Sequence, residues 1–257
     1  MNLDSLLGSF EPVSLEQTNE QASLLERYDT KYVIRPEQLP AVLSHWTNTH
    51  RVLEINNKRI FRYHSVYYDT PGLRLYHAHH AGAGNRVKFR IREYVDSQLS
   101  YCEIKKRDNR GVTEKQRTRI KDKDLVSSIM HQTSSEYPRH THNEALQETL
   151  QVDYDRVTLV AKQGGERITI DLNLRFCAND RRAEFPERVI IEIKRPRGVI
   201  AAEQRYFRTI GIRSGSISKY CLGILSLYPT AKHHHFRLPL RILAKQLSHH
   251  APATSFR

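Results

Sequence analysis

Charged and apolar side chains alternate residue by residue through the middle of the chain, the pattern of strands whose two faces meet different surroundings. In Arg86-Val87-Lys88-Phe89-Arg90-Ile91-Arg92, four cations share one face and three apolar residues the other. Tyr101-Cys102-Glu103-Ile104-Lys105 repeats the alternation. After the turn Asp108-Asn109-Arg110-Gly111, the segment from Thr113 to Ile120 sets Lys115, Arg117 and Arg119 together, and the two segments are predicted to form a hairpin. Leu24 to Ile34, aromatic and β-branched toward its end, reads as a strand that stops before Pro36. Leu39, Val42, Leu43 and Trp46 then fall at helical spacing. Ile60 to Asp69 is a predicted strand closed by the turn Thr70-Pro71-Gly72. Helices are predicted around Asp124 to His131 and Asn143 to Gln151. A strand pair, Tyr154 to Lys162 and Glu166 to Leu174, turns at Gly164-Gly165 and brings Arg167 and Asp171 to one face. Val189 to Lys194 is an apolar strand with Glu192 and Lys194 on one side, and helices over Ala202 to Ile210 and Ser216 to Tyr228 close the pattern.

Composition supports an ordinary folded chain. Of 257 residues, 39% are hydrophobic and 27% charged, and no run approaches the roughly 20 apolar residues that span a bilayer. The organisation expected is an N-terminal extension over residues 1–23, one mainly β domain over 24–229, and a basic tail over 230–257. Met1 to Pro12 carries acids and no Lys or Arg, unlike a secretory leader, so the expected location is cytoplasmic, with peripheral attachment at the inner membrane as the outer limit. Cys102, Cys177 and Cys221 are far apart and read as buried thiols rather than a disulfide framework or zinc site. The tail holds five Lys or Arg, five His and no acid. It reads as solvated, with docking on a membrane surface or a membrane protein through Leu238, Leu240, Ile242, Leu243 and Leu247 as the alternative. His77, His79 and His80, and likewise His233 to His235, have no carboxylate or thiol nearby in sequence and read as basic surface, with metal binding as the alternative.

The net charge of +13 points to a polyanionic partner, and the arrangement of the charges narrows the choice. Arg86, Lys88, Arg90, Arg92, Lys105, Lys115, Arg117, Arg167 and Lys194 can lie on polar strand faces opposed at their own parity only by Glu103, Asp171 and Glu192. Closing such a sheet into a barrel would converge these cations into a multidentate anion site, and phosphate groups fit it: Arg matches paired phosphate oxygens, while Lys supplies a point charge. Glu192 beside Lys194 is a candidate ligand for Mg²⁺ or Mn²⁺, typically held by one or two carboxylates plus substrate phosphates, against the alternative of an ion pair with its neighbours; Glu103 reads as such a partner. Ser214 to Tyr220 reads as the capped start of a helix, and Lys219 in its first turn can grip a phosphate, with a plain serine cap and an exposed lysine as the alternative. No phosphate-binding glycine loop, dinucleotide fingerprint or nucleophile elbow is present, so any chemistry is expected to be metal-assisted.

Taken together, Tyr28-Asp29-Thr30-Lys31-Tyr32, Tyr67-Tyr68-Asp69-Thr70, Arg90-Ile91-Arg92-Glu93-Tyr94, Glu103-Ile104-Lys105, Lys115-x-Arg117, Glu192-Ile193-Lys194 and Ser218-Lys219-Tyr220 resemble the VTC domain, the polyphosphate polymerase domain of the vacuolar transporter chaperone complex, over about residues 24 to 228. That family belongs to the triphosphate tunnel metalloenzymes. The resemblance implies an α+β, mainly β fold: a closed eight-stranded antiparallel β-barrel with helices packed outside. It implies that Lys31, Arg90, Arg92, Lys105, Lys115, Arg156, Arg167 and Lys219 contact phosphates, with Lys88, Arg117 and Lys194 as further substrate contacts, and that Glu192 holds Mn²⁺ or Mg²⁺. Arg90, Arg92, Lys105, Lys115 and Lys219 are the residues expected at the catalytic centre. The implied reaction passes the γ-phosphate of ATP to a growing polyphosphate end. The first strand lacks the E-x-E-x-K signature of hydrolytic tunnel enzymes, which favours polymerase over hydrolase.

Two alternatives stand beside this expectation. A metal-dependent inorganic or nucleoside triphosphatase would use the same groups with water as acceptor. A nucleic-acid-binding protein would lay the basic sheet open, but Phe89 and Ile91 alternate with the cations instead of joining them, so no nucleic-acid partner is expected.

Overall fold

The alternation becomes extended chain in the computed structural model of the protein, which describes residues 3–22, 27–122, 126–196, 202–236 and 239. In chain order the elements are α1 (Leu3–Gly8), β1 (Pro12–Val13), α2 (Leu15–Ala22), β2 (Arg27–Ile34), α3 (Leu39–Trp46), β3 (His50–Leu53), β4 (Phe61–Asp69), α4 (Arg74–His80), β5 (Arg86–Tyr94), β6 (Leu99–Arg107), β7 (Thr113–Ile120), α5 (Val126–Glu136), α6 (Pro138–Thr141), β8 (Gln147–Ala161), β9 (Arg167–Ala178), β10 (Arg181–Phe185), β11 (Val189–Pro196), α7 (Ala202–Thr209) and α8 (Lys219–Leu227). The chain divides into two compact units: Met1–Arg62 with Tyr154–Leu174 and Phe185–Ser216, and Tyr63–Asp153 with Arg175–Glu184 and Ile217–Arg257.

The first unit orders its strands β2-β11-β9-β8, with β3 antiparallel on β8 and β1 parallel to β3. β11 runs antiparallel to both neighbours, so Ile191 faces Tyr32 and Ile170, and Ile193 faces Ile168. This apolar face packs with Leu39, Val42, Leu43 and Trp46 of α3 and Phe207 of α7. Each such side chain contributes about 1.5–3 kcal/mol on full burial. Phe207 stacks on Tyr32 at 4.0 Å, and the buried indole of Trp46 donates to Glu203 at 2.7 Å. The hairpin between β8 and β9 turns at Gly164 and Gly165, both at positive φ, which only glycine adopts without strain.

The second unit contains the run β4-β5-β6-β7, antiparallel throughout. Val87 and Phe89 of β5, with Cys102 and Ile104 of β6, turn to one side and are covered by Leu75 of α4 and Met130 of α5. The alternate residues, including the cations, turn to the other.

The closed barrel expected above is not formed. The strand order β2-β11-β9-β8-β4-β5-β6-β7 has two ends, and no pairing joins β2 to β7 among the described residues. The physical reason is visible in β7: every residue from Thr113 to Arg119 is exposed, whereas a strand closed into a barrel buries one parity. Its run of charges also keeps an open edge soluble. The fold is α+β with an open path of eight strands. A second correction concerns Asn143 to Gln151, predicted helical: β8 starts at Gln147. Residues 24–26 of the predicted first strand and the tail residues Leu238, Leu240, Ile242, Leu243 and Leu247 lie outside the described residues. Among the described residues no helix is long and apolar enough to cross a membrane.

Candidate functional site

Register places the cations of the second unit in rungs. Arg90 stands opposite Tyr67, Glu103 opposite Arg90, and Arg117 opposite Glu103, while Lys88, Lys105 and Lys115 form the adjacent rung. Lysines directly opposite one another repel, so this rung raises the positive potential of the face. Glu103 is the counter-charge, 2% exposed. Its carboxylate accepts from Arg90 Nε at 2.7 Å and Lys115 Nζ at 2.6 Å, with Arg92 Nη1 and Arg117 Nε each at 3.7 Å. Burial favours the neutral acid, but the cations win and hold its pKa far below the usual carboxylate range. Tyrosines orient the guanidinium groups: Arg117 lies 3.6 Å from the Tyr101 ring centre, and Arg92 lies 5.6 Å from that of Tyr63.

One carboxylate thus faces four cations, and the neighbouring Tyr67 registers the surplus. Tyr67 is buried, which by itself raises a phenol's pKa, yet Arg90, Arg92 and Lys88 bring it down to about 8. Arg90 also donates to its hydroxyl at 3.1 Å. Lys115 is lowered to about 8, by burial first, against the opposing pull of Glu103 and with smaller help from Arg90 and Arg92. Its side chain is 46% exposed, with the ammonium against Glu103 at 2.6 Å.

The start of α8 joins this region. Ser218 is its N-cap, accepting from the amide of Cys221, and Lys88 Nζ donates to the same hydroxyl at 2.9 Å. Lys219 opens the first turn, so Lys88 and Lys219 bring two cations to a helix start whose amides already favour anions. Tyr220 stacks on Tyr67 at 5.0 Å and donates to Asp69. Asp69 is wholly buried and also accepts from the amides of Thr70, Leu75 and Tyr76, which fixes the entry to α4.

In the first unit, Glu192 stands opposite Lys31 and Thr169, and Lys194 opposite Asp29 and Arg167. Glu192 contacts Lys194 at 3.1 Å and Lys31 at 3.8 Å. Arg156 makes a two-pronged bond to the buried Asp171 at 2.6 and 2.8 Å.

The VTC domain profile matches residues 26–228. The chain belongs to the VTC domain family. With that comes membership of the triphosphate tunnel metalloenzyme superfamily. Solved structures with a similar fold include a candidate adenylate cyclase of Bacillus halodurans, at 12% identity over 76% of this chain and 96% of that one with a TM-score of 0.48. A candidate adenylyl cyclase of Hippeastrum with a dominant triphosphatase activity matches at 14% over 80% and 100%, TM-score 0.47. A candidate adenylate cyclase of Vibrio parahaemolyticus matches at 14% over 85% and 97%, TM-score 0.43. A search of curated proteins finds no match. At these scores the structural likenesses add nothing to the assignment of activity.

For this VTC domain, the implied Mn²⁺ or Mg²⁺ finds an oxygen donor set on the first unit's polar face. Beside Glu192, the hydroxyl of Thr169 is buried and has no hydrogen-bond partner. A carboxylate next to an orphaned hydroxyl fits a hard divalent cation. A second metal-competent group draws on both histidine runs for which metal binding stood as the alternative: His80, His234 and His235 in the second unit hold their ligand nitrogens within 4.8 Å of one another. The triplet His77-x-His79-His80 and the run His233-His234-His235 were each visible, but their convergence depends on the fold. Thr169 was missed too, since a threonine in a strand carries no signal of its own.

Proposed function

We propose that this chain catalyses metal-dependent phosphoryl transfer from a triphosphate-type substrate, gripping successive phosphates through the cationic face of the second unit. The observation that carries the reading is the surplus of positive charge around Glu103, felt by Tyr67. Arg90, Arg92 and Arg117 present forked donors for phosphate oxygens, and Lys88, Lys105, Lys115 and Lys219 supply point charges. Such preorganised donors stabilise charge that spreads over the transferring group and the leaving phosphate as the anhydride bond breaks and the bond to the acceptor oxygen forms. Glu192 with Thr169 would hold Mg²⁺ or Mn²⁺, which when bound offsets phosphate charge. Lys31, Lys194 and Arg167 line the face around that carboxylate and would serve further phosphates, while Arg156 is largely neutralised by Asp171.

The acceptor separates two forms of this chemistry. With water as acceptor the chain is an inorganic or nucleoside triphosphatase, the simplest form. With a phosphate chain end as acceptor it is a polyphosphate polymerase releasing ADP, the finer reading, for which the VTC family match and a first strand carrying Asp29 and Lys31 without the E-x-E-x-K signature are the support. Purified protein incubated with ATP or tripolyphosphate and Mn²⁺ is followed by phosphorus NMR and gel electrophoresis. Orthophosphate alone marks the triphosphatase, and long polyphosphate with ADP the polymerase. In either form Arg90→Ala lowers kcat by roughly 100-fold or more. No consumption of either substrate overturns the proposal.

A further inference from the structure

Outside the phosphate-facing cluster, three imidazoles meet from distant parts of the chain. His80 closes α4 and is buried, while His234 and His235 lie in the segment after α8 and are exposed. Ring centres are 4.4 Å apart for His80 and His234, 4.6 Å for His80 and His235, and 4.2 Å for His234 and His235. The backbone that carries them is held on both sides of the run. Ala231 donates to Tyr228, the Tyr76 hydroxyl donates to the carbonyl of Lys232, and the Phe236 ring packs on Tyr76 and His80 at 5.9 and 5.3 Å.

The hydrogen bonds also select a tautomer. His235 Nδ1 lies 3.0 Å from the carbonyl of His80, and a carbonyl only accepts, so Nδ1 carries the proton and Nε2 keeps its lone pair. A ligand histidine is commonly set this way, one ring nitrogen on a carbonyl and the other on the metal. His80 Nε2 already accepts, from the His235 amide at a long 3.3 Å, so its lone pair points to the same segment.

From this geometry we infer that His80, His234 and His235 form a binding site for a borderline transition-metal ion of the Zn²⁺, Co²⁺ or Ni²⁺ class, which fastens the segment after α8 to the end of α4. A set of three imidazoles without carboxylate favours these ions over Mg²⁺ and Mn²⁺, and leaves further coordination positions for solvent. Reaching metal–nitrogen distances of about 2.0–2.1 Å requires the exposed rings of His234 and His235 to turn toward the buried His80, whose Nε2 exchanges its long bond from the His235 amide for the metal. Its donors are other residues than Glu192 and Thr169, and the inference does not depend on the proposed phosphoryl transfer.

The test uses the full chain without a polyhistidine tag, stripped of metal. Co²⁺ titration should give visible d–d bands that saturate near one equivalent. Zn²⁺ should bleach them, and a large excess of Mg²⁺ should leave them unchanged. Zn²⁺ should also raise the thermal midpoint of the metal-free protein, because it binds the folded form. The double variant H234A/H235A, at exposed positions, should keep the fold and weaken Co²⁺ binding by about 100-fold or more. The inference is overturned if Co²⁺ shows no saturable bands, or if the double variant binds it as tightly as the parent.

Discussion

At the scale of single residues, the candidate site is governed by unequal charge. Burying Glu103 costs several kcal/mol unless its partners are well placed, and Arg90 and Lys115 at 2.7 and 2.6 Å provide those partners. Arg92 and Arg117 stand farther off and leave the neighbourhood positive. Two groups near pH 8 make that charge adjustable. Lys115 is cationic below about 8 and neutral above it, and Tyr67 passes from neutral to phenolate near the same pH. Both titrations remove positive charge as pH rises. Tripolyphosphate affinity should therefore fall about tenfold between pH 7 and pH 9, the value of one charge-assisted hydrogen bond. Calorimetric titration at the two pH values checks this, and a flat profile would show that Lys115 takes no part.

At the scale of elements, Asp69 organises the region from below. Its carboxylate takes three backbone amides at the entry to α4 and the hydroxyl of Tyr220 at the start of α8. Asp69→Ala should cost about 2–4 kcal/mol in urea unfolding, since it strands buried donors as well as removing an N-terminal acceptor. A loss below about 0.5 kcal/mol would mean that water replaces the carboxylate at no penalty. This role was not legible in the sequence, where Asp69-Thr70 marked only a strand end and a turn. What was legible followed from a strict period: β5 and β6 lie where charge and apolar character alternate, and α3 buries Leu39, Val42, Leu43 and Trp46 as their spacing required. The start of β8 failed because Leu146 and Leu150 are also four apart, as on a helix. The burial of Leu150, Val152 and Tyr154 follows a period of two instead. Closure of the barrel could not be read at all, because alternation assigns faces to strands but says nothing of whether the first strand meets the last. The meeting of the two histidine runs was invisible for a related reason: the donors come from opposite ends of the second unit's sequence.

At the scale of the whole molecule, a net charge of +13 says only that an anion is attractive, and the register of β5, β6 and β7 is what supports the proposal that the anion carries several phosphates. Rows of Arg and Lys on one strand face, with tyrosines beside them, suit several phosphates held at once. Multidentate binding is the central claim, and its signature is that affinity grows with each linked phosphate. Calorimetric titration of the purified chain with orthophosphate, pyrophosphate and tripolyphosphate at pH 7, with a single-stranded oligonucleotide as competitor, tests it most directly. The account predicts saturable binding of tripolyphosphate about 100-fold or more tighter than orthophosphate, since each additional charge-assisted contact adds roughly 1.5–3 kcal/mol, and little displacement by the oligonucleotide. Tripolyphosphate that binds no tighter than orthophosphate, or that the oligonucleotide displaces at equal phosphate concentration, would contradict it.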